Sequence, residues 1–225
     1  MIKYRLLIIC MFFLFVISLG RVNAEYRDLP LLGKTFYLDA GHGGIDVGAI
    51  SGKIYEKDLN LKLVKILASK LEEKGALVYL TRNGDYDIAN KNVANRKRSD
   101  LTKRARLINN SNADLYLSIH LNAAVKNKWR GVQVFYTTKN RENEKIAKVI
   151  SDTIKEKIST VRDIKKDNGY YMYKQIKKPG VLIEAGFISN PSDLYLLKKE
   201  WYQNKLMGLI RDGIVRYMKK DLVLD

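Results

Sequence analysis

The sequence is poor in the residues that would staple or divide a chain of 225 residues. It has one cysteine, Cys10, inside an apolar stretch near the N-terminus. If that stretch is removed, the mature chain has none, so a disulfide framework is excluded and the fold must rest on its own core. A chain of this length can bury one. Prolines number three, and no Pro/Ser-rich linker marks off a second module. No 20 to 50 residue self-similarity suggests a repeat array. The longest uncharged run, residues 6–20, is short of the ~20 residues a membrane span needs. Acids are scarce beside bases, 24 against 41, giving a formal charge of +17. Lys3, Arg5 and Arg21 account for three of these charges, so the chain from residue 25 keeps +14. Such a chain favours polyanions. Export, argued next, weighs against nucleic acid and towards an anionic wall polymer or membrane surface. A merely solvated basic surface is the plainer alternative.

The N-terminus begins with basic MIKYR, continues through LLIICMFFLFVISLG and reaches Val22-Asn23-Ala24 before Glu25. A positive start, an apolar core and a small residue before a cut site form the layout of a secretory signal. Residues 1–24 are therefore expected to be a signal peptide or a retained membrane anchor. Cys10 lacks the small residue that precedes a lipidated cysteine. Residues 25–33 form a short linker, and 34–220 the catalytic domain.

Within that domain, apolar runs and helical periods alternate. KTFYLDAG (34–41), ALVYLTR (76–82), DLYLSIHLNA (114–123), GVQVFYTT (131–138) and GVLIEAGFI (180–188) read as strands. Leu59, Leu63, Ile66, Leu67 and Leu71 recur at helical spacing, and Gly75 follows as a stop. Leu101, Ala105 and Ile108 mark a second helix, 142–158 a third and 201–218 a last one. Asn190-Pro191 supplies a helix cap with proline at the first helical position. Polar residues 83–98 read as a loop. The expected fold is α/β: a single domain with a twisted, mostly parallel sheet of about six strands covered by helices on both faces. In such sheets, sites gather at the carboxyl ends of the strands.

The two histidines of the chain, His42 and His120, both fall at such ends. The loop AGHGG lacks the spacing of a phosphate cradle and places an imidazole where backbone should approach a ligand. Two histidines and one glutamate form an established set for catalytic zinc. Glu56, at the start of the first helix, can complete it; its alternative is an acid favoured by the helix dipole. Glu184 lies in VLIEAGFI, a strand expected to be buried on both faces. A buried carboxylate is costly unless paired or metal-bound. It can act as a general base, or it can form a structural ion pair with a lysine or arginine.

AGHGGIDVGA (40–49), the glutamate of YEKDLNL (55–61), LTR (80–82), ADLYLSIHLNA (113–123) and PGVLIEAGFISNP (179–191) resemble the zinc-dependent N-acetylmuramoyl-L-alanine amidases. The resemblance covers residues 34 to 218. It implies that His42, Glu56 and His120 hold one Zn2+ and that Glu184 is the catalytic acid/base. It implies peptidoglycan as substrate and hydrolysis of the amide between the lactyl group of N-acetylmuramic acid and L-alanine. Asp39 and Asn122 are candidates for orienting ligands or substrate. Arg82 and Arg104 are candidates for binding peptide carboxylates, with a structural ion pair the equal alternative. WRGVQVFY (129–136) carries Gln133 where many relatives have glutamate, a version that resembles the spore-cortex, germination-specific branch, which acts before muramic-δ-lactam forms. There is no wall-binding repeat. Residues 139–178 leave room for one helix and a loop, not for a helix that plugs the site. Control is then expected from timing, location or an accessory protein at the membrane or cortex. A zinc peptidase trimming the stem peptide and a non-catalytic wall-binding protein are the rival readings.

Overall fold

The computed structural model describes residues 28–125 and 128–221; the expected signal or anchor lies outside them. Among the described residues no helix is long and apolar enough to cross a membrane.

The elements follow the alternation in the sequence. Strand β1 (Thr35–Ala40) leads through a tiny hairpin, β2 (Ile50–Ser51) and β3 (Ile54–Tyr55), into helix α1 (Glu56–Glu72). Then come β4 (Leu77–Leu80), α2 (Arg96–Asn110), β5 (Leu115–Asn122) and β6 (Gln133–Tyr136). They are followed by α3 (Asn143–Lys155), β7 (Lys165–Lys166), β8 (Gly180–Phe187), α4 (Pro191–Leu197) and α5 (Glu200–Asp221). One six-stranded sheet has the order β4-β1-β5-β8-β6-β7. The first four strands are parallel, while β6 runs antiparallel to β8 and carries β7 parallel to itself. The sheet is thus mostly parallel, as expected.

Side chains alternate across it. Phe36, Leu38, Leu117, Ile119, Val181 and Ile183 point to one face and pack with buried residues of α1, α3 and α5. Tyr37, Tyr116 and Leu182 point to the other and pack with Ala105 and Ile108 of α2 and with Met172, Tyr173 and Ile176. Helix α2 starts at Arg96, inside the region read as loop. Asn95 caps it by accepting from the Arg98 N–H at 2.8 Å, a signal masked by the polar RKRSD that follows. The Asn190 side chain accepts from Ser192 N and Asp193 N ahead of Pro191, as the cap reading expects. Between α3 and β8 there is no further helix among the described residues.

Helix α5 runs back from the carboxyl ends of the strands to their amino ends. There Lys219 Nζ stands 3.9 Å from Asp28 Oδ2, so both ends of the described chain meet below the sheet.

Candidate metal centre

The sheet register assembles the site. The Gly41 N–H donates to Ile119 O, placing Gly41 beside the end of β5. His120 is in register with Glu184 across β5 and β8, and Glu184 with Gln133 across β8 and β6. Gly41, His120, Glu184 and Gln133 therefore form one row over the face that α2 flanks. A Cβ on Gly41 would stand 2.2 Å from the His120 ring, so only glycine leaves that imidazole its place. The next residue, His42, takes φ 63°, a conformation non-glycine residues seldom adopt and one that collects at functional sites. This turn swings its ring back over the strand ends.

Glu56 occupies the first position of α1 and meets both rings. Its Oε1 lies 3.2 Å from His42 Nε2 and 3.1 Å from His120 Nδ1. The ligand atoms of the three residues all lie within 4.8 Å of one another. The carboxylate is held from behind: Ala49 N donates to Oε2 at 2.9 Å, and Leu121 N and Asn60 Nδ2 each donate to Oε1 at 3.1 Å. A Cβ on Gly48 would strike Oε2 at 2.6 Å. The helix start thus fixes the Glu56 backbone, and its carboxylate is spent on the centre rather than on capping.

Two nitrogens and one carboxylate oxygen converging in this way suit a zinc ion. The protons of the metal-free centre make the same point. Burial would lower the His42 pKa, but Asp46 and Glu56 outweigh it and raise it to about 9. Burial would raise that of Glu56, but hydrogen bonds and charge from His120 and His42 hold it far below the usual carboxylate range. The pair grips a proton where a cation would sit. Asp46 Oδ2 lies 3.0 Å from His42 Nδ1, close but out of line with the ring N–H, and it also meets Lys97 at 3.3 Å. A carboxylate behind a ligating histidine orients the ring and raises its basicity. Asp46 was not singled out in the sequence, although its position four residues after His42 offered a signal.

Glu184 has no hydrogen bond or ion pair among the described residues, and its Oε2 is fully buried without a partner. Burial pushes its pKa up to about 7, with Glu56 adding to the rise and His120 and His42 opposing it. The alternative of an ion pair with lysine or arginine is not what the structure holds.

Arg82 and Arg104 depart from the expectation of carboxylate binding. Both are about 1% exposed. Arg82 donates to the carbonyls of Ala40, Gly41, Lys57 and Gly84 at 2.7 to 3.0 Å. Arg104 donates to Asp39 and Asp100 and to the carbonyls of Ala40 and His42. Their donors face inward and clamp the loop that carries His42. Asp39 is 1% exposed and accepts from Thr81, Ser118 and Arg104, so its carboxylate braces that clamp where it and Arg104 back the wall of the cleft. Asn122 does line the open cleft of about 320 Å³ above the centre, together with His42, Glu56, His120, Tyr170 and Glu184.

Known proteins share this fold. The chain is 48% identical to the germination-specific N-acetylmuramoyl-L-alanine amidase of Bacillus subtilis over 84% of its own length and 82% of that protein's. A solved structure, the CwlD amidase from Clostridioides difficile in complex with the GerS lipoprotein, superposes with a TM-score of 0.76 at 37% identity. The match covers 85% of this chain and all of that one. An N-acetylmuramoyl-L-alanine amidase from Clostridium difficile 630 follows at 0.74 and 34% identity, covering 83% and 97%. The family model described as N-acetylmuramoyl-L-alanine amidase matches residues 37–216, from within the first strand into the last helix. The match takes in the strand ends and the helix start that carry the centre, and the chain therefore belongs to the N-acetylmuramoyl-L-alanine amidase family.

Proposed function

We propose that the chain is a zinc-dependent amidase of peptidoglycan, with His42, Glu56 and His120 as zinc ligands and Glu184 as acid/base. The observation that carries this reading is the unpaired, buried carboxylate of Glu184 in register with His120, itself in contact with Glu56. Zinc bound there supplies Lewis acidity towards the amide carbonyl and brings the ionisation of water near neutrality. Glu184 accepts the proton of the attacking water. The water oxygen bonds to the lactyl carbonyl carbon, and the bond from that carbon to the L-alanine nitrogen breaks. Glu184 then returns its proton to the leaving amine. The products are a muramic carboxylate and a free L-alanine amino terminus. Asn122, on the wall of the cleft, is positioned to bind substrate.

Digestion of purified peptidoglycan followed by mass spectrometry tests the bond cleaved. New L-alanine amino termini are expected, chelation abolishing them and zinc restoring them. Cleavage inside the stem peptide would favour the zinc peptidase, and full activity in metal-free protein would overturn the zinc reading.

The biological setting follows from the 48% identical germination-specific relative and from Gln133. The enzyme acts on spore cortex, removing stem peptides so that muramic-δ-lactam can close. Spores of a strain lacking the protein are expected to contain no lactam, and normal lactam would refute this setting while leaving the amidase standing. Residues 1–24 direct export to the wall or the space between forespore membranes. The relative solved with a lipoprotein supports an accessory protein as a partner of this chain too.

A further inference from the structure

One buried polar side chain beside the base has no part in that mechanism. Gln133 is 8% exposed and sits opposite Glu184 across the sheet. Both ends of its amide are used: Nε2 donates to Asp163 O at 2.9 Å, and Oε1 accepts from Arg162 Nε at 3.1 Å. Arg162 is thereby held in one pose. Its guanidinium carbon lies 4.6 Å from the Trp129 ring centroid and 5.8 Å from that of Phe187, the last residue of β8. Its backbone N–H is fixed to Val132 O at 2.8 Å. The two terminal nitrogens, Nη1 and Nη2, have no hydrogen bond or ion pair among the described residues.

A guanidinium tethered at Nε and stacked on a ring, with its outer fork open, suits a carboxylate, which it takes in two parallel hydrogen bonds. Its place fits a substrate. Neighbouring strands stand ~4.8 Å apart, so Gln133 is one strand beyond Glu184 and the fork lies on the order of 10 Å from the base. An extended peptide covers that distance in about three residues at ~3.3 Å each. The identity of residue 133 decides whether the fork is available. A carboxylate there would pair with Arg162 and cancel its charge. An amide orients the guanidinium without neutralising it.

We propose that Arg162 recognises a carboxylate of an acidic stem peptide, two to three residues from the scissile amide, and that Gln133 is the positioning residue that keeps its charge available. The proposal rests on the amidase reading and adds which peptides the enzyme prefers.

The test uses two muramyl peptides of equal length that differ only in a free carboxylate or a carboxamide at the second or third residue. Their binding is measured calorimetrically on zinc-loaded Glu184→Gln protein, where no turnover intervenes. Charge-assisted hydrogen bonds predict a preference for the carboxylate of about 10-fold or more. Arg162→Gln and Gln133→Glu, each added to that background, are expected to cut the preference to about 2-fold or less, while Arg162→Lys keeps part of it. An unchanged preference in Gln133→Glu, or equal weakening of both peptides in Arg162→Gln, would overturn the proposal, because a purely structural role cannot tell carboxylate from carboxamide. Gln133→Glu keeps the bond from Arg162 Nε but cannot donate to Asp163 O. The readout is a ratio between two peptides, so this variant still decides the matter if Arg162→Gln fails to fold, since a merely structural loss would weaken both peptides alike and leave the preference unchanged. Failure of the amidase reading would appear separately, as absent cleavage by the unmodified, zinc-loaded enzyme.

Discussion

At the level of single residues, the centre is a set of strained or unpaired groups that the surrounding structure tolerates. Glu184 is the clearest. Its pKa rises from the ordinary 4.5 to about 7, so between these values the folded metal-free protein holds a proton that the unfolded chain has lost. Stability therefore falls as pH rises from about 4.5 through 7 and is level above that. At 1.36 kcal/mol per unit the loss is roughly 3 kcal/mol at most. Glu184→Gln removes it. Metal-free variant and metal-free parent should melt alike near pH 4.5, with the variant higher above pH 7; a constant gap across that range would mean that Glu184 does not titrate there. The same variant should keep zinc and lose turnover by at least ~100-fold, the usual scale for removing a general base. Gly41→Ala acts in the opposite sense: its Cβ would displace the His120 ring, so zinc affinity should drop before any step of catalysis is affected. Asp46→Asn should cost ~10 to 100-fold in zinc affinity, the range for partners of ligating histidines. Metal titration with competing chelators measures both, and unchanged affinity in either variant would count against the geometry.

At the level of elements, the sequence declared what was long and periodic. β1, β5 and β8 are continuous apolar runs because both faces are covered, and α1 shows its buried stripe directly. Strand direction was not legible: the alternation of GVQVFY is the same for a parallel and an antiparallel strand, and only the structure turns β6 round. Two-residue strands such as β2, β3 and β7 are too short to carry a period. The convergence of His42, Glu56 and His120 was legible because histidines are so few and fall at strand ends. Arg104 forms the structural ion pair that was its alternative, with Asp39 and Asp100. Arg82 was not legible, since a sequence does not say whether a guanidinium faces solvent or a ring of carbonyls. Asp193, in α4, shows how elements are joined. Its Oδ2 accepts from Gly131 N at 2.7 Å and from Phe187 N at 2.9 Å, tying α4 to the end of β8 and to the loop before β6. Asp193→Ala would leave two buried donors without partners, at ~1 to 3 kcal/mol each. A loss of about 2 to 5 kcal/mol in chemical denaturation is expected, with Asp193→Asn milder; a change below about 1 kcal/mol would show that the ties are dispensable.

At the level of the whole molecule, charge and shape act together. A chain of +17 is drawn to anionic polymer at long range, but exposed attraction is screened over a Debye length of about 10 Å at 0.1 M salt. Sedimentation with insoluble peptidoglycan should therefore show binding falling steeply with salt while zinc content stays constant; salt-independent binding would assign the affinity to the cleft alone. The meeting of Lys219 and Asp28 beneath the sheet bears on direction as well. His42, Glu56 and His120 lie at the far ends of the strands, and the eight residues of β5 at ~3.3 Å each make the sheet on the order of 25 Å tall. Should residues 6–20 stay in a membrane, the tether would leave the domain from its floor while the cleft opened at its roof. The enzyme would then work like a crane moored at its base. It would graze the wall above and be unable to reach glycan lying against its own membrane, and the length of residues 21–27 would set the height of the layer it trims.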